Sequence, residues 1–216
     1  MTSNLQYFNI EGPSGRLEAV LSAPDQPLPI SAIVCHPHPL YGGTMHNKVV
    51  TTLSKTLIDL GIPALRFNFR GVGASEGSYG EGWGETEDAL AAADWMRGRY
   101  PGAALWLAGF SFGAYVATRV AALPEQGVQC LMTVAPPVNH FDFAGLTPSC
   151  PWVVAQGDKD EIVPSQEVLA WREALPNPPK LLYFQDTGHF FHGRLLELRQ
   201  ELSAYLSAEV LLRYNK

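Results

Sequence analysis

The sequence predicts a three-layer α/β/α sandwich. Its centre is a mostly parallel sheet of about eight strands with an antiparallel hairpin at the N-terminal edge. Two patterns carry this expectation: strand-length apolar runs alternate with helical spacing through most of the chain, and glycine or proline clusters follow the strand ends. Composition adds a third. The 216 residues are 46% hydrophobic and 17% charged, which suits a packed globular chain. With no internal repeat and no shift in composition, residues 1–216 are expected to form a single domain.

Each element has its own signal. Residues 5–11 and 16–22 alternate about the turn cluster Gly12-Pro13-Ser14-Gly15, predicting the edge hairpin. A proline-rich connection leads to the apolar strand Ile30 to Cys35, then to the loop His36-Pro37-His38-Pro39-Leu40-Tyr41-Gly42-Gly43. Val49, Val50, Leu53, Leu57 and Ile58 recur at helical spacing between Asn47 and Leu60, and Gly61 closes that helix. A strand from Pro63 to Phe69 enters a glycine-rich stretch that ends at Gly84. A helix follows from about Glu85 to Arg99, with acids early and arginines late, as the helix dipole favours. Further strands are expected at 104–108, 128–135, 152–156 and 180–185, with helices at 114–123, 165–175 and 194–212.

Composition also excludes partners. The net charge is −6, with 15 basic against 21 acidic residues and no basic run, so nucleic acid is not an expected partner. No apolar run reaches the length of a membrane helix, and the N-terminal residues lack the basic and apolar regions of a secretory signal. The three cysteines, Cys35, Cys130 and Cys150, are odd in number and widely spaced. They read as buried thiols of a cytoplasmic protein rather than a disulfide framework. Whether the chain is a monomer or a homodimer stays open.

The chemistry lies at strand ends, where open parallel sheets collect their ligands. After the strand at 104–108 comes Gly109-Phe110-Ser111-Phe112-Gly113, followed by an apolar helix. Strand, G-x-S-x-G and helix in that order describe a nucleophile elbow, which makes Ser111 the candidate nucleophile. The strand at 152–156 is followed by a loop holding Asp158, Asp160 and Glu161; the strand at 180–185 is followed by Asp186-Thr187-Gly188-His189. A serine hydroxyl is too weak an acid to attack a carbonyl unaided. A histidine must take its proton, and a carboxylate must fix the tautomer of that histidine. His189 is the candidate base, and the acid is one of the three carboxylates.

Tetrahedral intermediates need two amides aimed at the developing oxyanion. Phe112, directly after the candidate nucleophile, offers one through its main chain. The loop after Cys35 offers the other, and because Pro37 and Pro39 carry no N–H, the nearby donors are His38 and Leu40. The pairs His36-x-His38 and His189-x-x-His192 could chelate a metal. A proline-locked loop makes a poor chelate hairpin, however, and no thiolate or carboxylate joins at tight spacing. The glycines at 71–84 lack the lysine of a phosphate loop. No metal and no cofactor are therefore expected.

With these residues in place, the chain resembles the α/β-hydrolase fold serine hydrolases. It is most similar to small hydrolases that carry His-Pro-His-Pro-x-x-Gly-Gly after the third strand, as at His36 to Gly43. Arg66-Phe67-Asn68-Phe69-Arg70-Gly71-Val72-Gly73-Ala74-Ser75 and the elbow extend the match, which spans about residues 5 to 210. The resemblance implies a glycine, two variable residues, the acid, and Val-Pro three residues on; Gly157, Asp160 and Val163-Pro164 fit, which selects Asp160 over Asp158. It also selects the His38 amide, provided His36-Pro37 takes the place of the usual His-Gly pair. Asn68 stands where such hydrolases often have aspartate, a change expected to concern loop structure alone.

Hydrolases of this kind carry a lid between the strand ending near Ala135 and the next one. Here only Pro136 to Pro151 intervene, so no lid domain is expected. The cleft should be open, with Tyr41, Trp83, Phe110, Phe141, Phe143 and Phe190 as candidate lining and about half of them serving the core instead. The function implied is hydrolysis of small soluble carboxylic esters through an acyl-enzyme. The alternatives are amide or thioester hydrolysis by the same residues, or a non-catalytic scaffold that binds a protein partner.

Overall fold

A computed structural model describes residues 4–214. Eight strands form one sheet: β1 (Asn4–Gly12), β2 (Gly15–Ala23), β3 (Ile30–Cys35), β4 (Ala64–Phe67), β5 (Ala104–Phe110), β6 (Cys130–Val134), β7 (Trp152–Gly157) and β8 (Lys180–Phe184). Their order across the sheet is β1-β2-β4-β3-β5-β6-β7-β8. The pairs β1/β2 and β2/β4 are antiparallel and the rest are parallel. The hairpin thus lies at the N-terminal edge, and the chain reverses its direction of travel across the sheet after β4.

Five helices cover the faces: α1 (Lys48–Asp59), α2 (Trp83–Arg99), α3 (Phe112–Ala121), α4 (Ser165–Glu173) and α5 (Leu195–Tyr205). Strands β3, β6 and β7 are buried along their whole length, and their side chains divide between two cores. On one face Ile33, Leu107 and Val154 pack with Ala89, Ala92 and Met96 of α2 and Val116 and Val120 of α3. On the other, Val34, Trp106 and Val153 pack with Val50, Leu53 and Leu57 of α1 and Leu198 and Leu202 of α5. A continuous apolar run is what a strand covered on both sides requires.

Helix boundaries follow local chemistry. Asn47 starts α1, its side-chain oxygen accepting the Val49 amide at 2.8 Å. Helix α2 begins at Trp83, two residues before the expected start, because buried Glu85 reaches back to accept the Gly80 and Gly82 amides at 2.8 and 2.7 Å. Asp88 was expected to serve the helix dipole; it is instead fully buried and grips Arg70. The Arg70 guanidinium donates to Asp88 Oδ1 at 2.7 Å and the Arg70 amide to Oδ2 at 2.9 Å, fastening the glycine-rich loop to α2.

The last helix departs from its expected extent. Residues 206–210 form a widened π turn and 211–214 a 3₁₀ turn. A wider turn rotates less per residue, so Val210 returns beneath Leu206 instead of drifting around the helix, and both stay buried. Asn68 keeps two loops in place: its carbonyl accepts the Met45 amide at 2.8 Å and its amide donates to Glu18 at 2.8 Å. An aspartate there would face the Glu18 carboxylate, so an amide suits the position.

Between β6 and β7, residues 135–151 hold turns and no helix. The molecule therefore has no lid domain, and the carboxyl ends of β3, β5, β7 and β8 face an open cleft.

Candidate active site

The elbow joins β5 to α3 through Ser111, whose φ of 52° and ψ of −123° lie outside the regions ordinary residues favour. Two close approaches fix it. A Cβ on Gly109 would sit 2.1 Å from the Gly113 carbonyl oxygen, and one on Gly113 would sit 2.3 Å from the Cys35 oxygen at the end of β3. The first contact sets the tightness of the turn. The second brings the start of α3 against the loop that contains His38.

Ser111, His189 and Asp160 come together at the ends of three different strands. The Ser111 Oγ lies 3.1 Å from His189 Nε2, and His189 Nδ1 lies 3.0 and 2.9 Å from the two Asp160 oxygens. Asp160 also accepts the Ile162 and Val163 amides at 3.0 and 2.7 Å, and the Gln156 side-chain amide at 3.1 Å. A carboxylate surrounded by donors accepts from all of them, so Nδ1 of His189 carries a proton and Nε2 is left to accept from the serine hydroxyl.

The acid loop and the histidine loop are latched together. Asp158 accepts the Thr187 amide at 3.1 Å, Glu161 accepts the His189 amide at 3.2 Å, and the Lys159 amide donates to the Thr187 carbonyl at 3.0 Å. Lys159 also pairs with Asp186 across the surface. Of the three carboxylates in the loop, Asp160 alone reaches the imidazole. The other two hold its backbone surroundings.

The loop after β3 also resolves into separate parts. His36 is fully buried, donates from Nδ1 to the Pro37 carbonyl at 2.6 Å and accepts the Phe69 amide at Nε2 at 3.0 Å; burial lowers its pKa to about 3. The His38 ring accepts the Leu40 amide at Nδ1 and meets the Tyr79 hydroxyl from Nε2, both at 3.2 Å. Burial lowers the pKa of His38 as well. Since Nδ1 is an acceptor here, Nε2 carries the proton and donates to Tyr79. Leu40 is thereby committed to the His38 ring, whereas His38, Phe112 and Ser111 line the same cleft.

That cleft has a volume of about 590 Å³. Tyr41, Phe141 and Phe190 line it, together with Asn47, His140 and Ile162, which nothing in the sequence singles out for the site. The other three expected aromatics lie elsewhere. Phe110 is buried beneath His189, Phe143 packs between Tyr115 and Trp171, and Trp83 is exposed under the Arg119 guanidinium, 3.6 Å from its ring centre. The lining contains no Asp, Glu, Lys or Arg. Cys35, buried at the strand end, has its thiol pKa raised by desolvation, which leaves it a poor nucleophile.

Known proteins share this fold. A family described as serine aminopeptidase, S33, matches residues 30–148. The chain belongs to this family of α/β serine hydrolases. An α/β serine hydrolase homologue from Coxiella burnetii superposes with a TM-score of 0.90 at 47% identity, covering 95% of this chain and 99% of that one. A serine hydrolase without lid from Xanthomonas campestris superposes equally well, with a TM-score of 0.90 at 44% identity over 96% and 95% of the two chains. An uncharacterized protein of Rickettsia prowazekii is 40% identical, over 93% of this chain and 87% of its own length. Like the Xanthomonas relative, this serine hydrolase is lid-less.

Proposed function

We propose that this serine hydrolase cleaves small, uncharged carboxylic esters through an acyl-enzyme. The observation that carries the reading is the unbroken chain Ser111–His189–Asp160, opening onto a cleft with no charged lining. His189 takes the Ser111 proton as Oγ attacks the ester carbonyl, and Asp160 holds the imidazolium that forms. The Phe112 and His38 amides stabilise the oxyanion, aided by the positive end of α3; a donor of this kind is worth about a hundredfold or more in rate. His189 then returns the proton to the departing alkoxide, and water repeats the sequence to release the acid. Tyr41, Ile162 and Phe190 form an apolar rim for the body of the substrate.

The family description raises peptide hydrolysis as a second reading. An aminopeptidase must bind a cationic substrate N terminus, and the lining offers no carboxylate to pair with it. This favours esters. The deciding experiment combines fluorophosphonate labelling with p-nitrophenyl acetate turnover. Labelling at Ser111 is expected, as is loss of turnover in Ser111→Ala with an unchanged circular dichroism spectrum. Full turnover in that variant would remove Ser111 from the mechanism, and faster cleavage of aminoacyl p-nitroanilides than of the ester would favour the peptidase reading.

A further inference from the structure

We propose that Gln156, at the end of β7, is a positioning residue that aims and polarises the Asp160 carboxylate; this rests on the triad reading above. Its side-chain amide is completely buried. The nitrogen lies 3.1 Å from Asp160 Oδ2, 3.1 Å from the Val163 carbonyl and 3.3 Å from the Gly157 carbonyl. All three neighbours are acceptors, so the NH₂ must face them; the flipped amide would set oxygen against oxygen. The consequence appears at the other atom. Gln156 Oε1 is buried with no hydrogen-bond partner among the described residues.

An unpartnered buried acceptor is unfavourable, and methionine would fill a similar volume without it. What glutamine supplies there and methionine cannot is a donor, to Asp160 and to the Val163 and Gly157 carbonyls; of these three acceptors only Asp160 touches His189. The Ile162 and Val163 amides both fall on Oδ1, so Gln156 is the side chain that holds Oδ2 besides His189 itself. Two donors on one oxygen and one on the other fix the plane of the carboxylate against rotation, and with it the direction in which His189 points.

Removing the donor should also leave a detectable electrostatic mark. With less of its charge dispersed into hydrogen bonds, Asp160 stabilises the His189 imidazolium more strongly, and the acid limb of kcat/KM moves to higher pH. The other titratable groups around the carboxylate are already engaged. Asp158 and Glu161 hold the Thr187 and His189 amides, Lys159 pairs with Asp186, and His140 contacts the Ile162 carbonyl. None of these contacts involves Gln156.

The test compares Q156M and Q156L with the native chain for ester turnover across pH, melting temperature and fluorophosphonate labelling. Expected for Q156M are a melting temperature within about 3 °C of native, kcat lower by about ten- to a hundredfold, KM little changed, and an acid limb displaced upward. Native kcat with an unmoved acid limb would overturn the proposal. So would loss of the fold in both variants, which would assign Gln156 to the core alone. If Ser111 takes no fluorophosphonate in the native chain, the triad reading itself fails; if it is labelled and Q156M behaves as native, only the role of Gln156 fails.

Discussion

At Gly113 a single hydrogen atom faces the main chain of β3, and replacing it by a methyl group would place carbon 2.3 Å from the Cys35 oxygen. Neither side can yield cheaply, since both are backbone. Gly113→Ala is expected to lower stability by about 3 kcal/mol and the melting temperature by about 6–12 °C, with ester turnover reduced more than tenfold as the Phe112 amide shifts. Calorimetry and a rate assay check both; a native melting temperature would show that the start of α3 and the end of β3 can part. Residues of this kind were legible in advance because the elbow pattern demands them. The choice of His38 over Leu40 rested on the resemblance alone; that the His38 ring turns back to accept the Leu40 amide, within a short 3₁₀ turn, leaves no mark in the spacing of residues. Gln156 was passed over as one more strand residue, although a polar side chain ending the apolar run Trp152 to Ala155 was a usable signal.

Between elements, the Arg70–Asp88 pair does what apolar packing does elsewhere. It ties the loop after β4 to α2, and that loop brings Tyr79 against His38. Asp88→Ala would leave the buried Arg70 guanidinium with only the exposed Glu87 as ionic partner, an expected loss of about 3 kcal/mol. Adding Arg70→Met should restore a large part of it, because the stranded charge is then gone. Urea denaturation of the two variants measures this; simple additivity of the two substitutions would sink the idea. Strand and helix order was legible from periodicity, and nearly every element lies within two residues of its expected place. Two of the departures have clear local causes. Glu85 starts α2 early by reaching back over the loop, and the π turn after Tyr205 keeps a drifting apolar face on the core. Neither contact leaves a mark in hydrophobic spacing.

For the whole molecule, acid stability should depend on His36. It is neutral and buried in the folded chain, with its pKa lowered to about 3, while the unfolded chain returns it to an ordinary value near 6.5. Unfolding therefore takes up a proton between those limits. Stability from this source is complete above about pH 6.5 and falls by about 1.4 kcal/mol per pH unit below it. His36→Gln preserves an acceptor for the Phe69 amide and removes the proton uptake. Its stability should decline less steeply than the native chain from pH 6 to 4 in denaturant titrations, and equal slopes would show that His36 is not the group responsible. The three-layer architecture and the absence of a lid were both legible from the order and length of segments. The composition of the cleft was less so: Asn47 sits at a helix start and Ile162 in the acid loop, and their convergence depends on how the loops fold over the strand ends.

The contact of Gly113 with the end of β3 has a consequence for how this molecule can diversify. The gap between the start of α3 and the loop holding His38 is set where main chain touches main chain, so exchange of surrounding side chains leaves it unaltered. Tyr41, Ile162 and Phe190, the residues proposed to meet the substrate body, stand on the rim and carry none of that spacing. Attack geometry and substrate choice are thereby uncoupled: mutation can retune what enters the cleft while the reacting atoms keep their places.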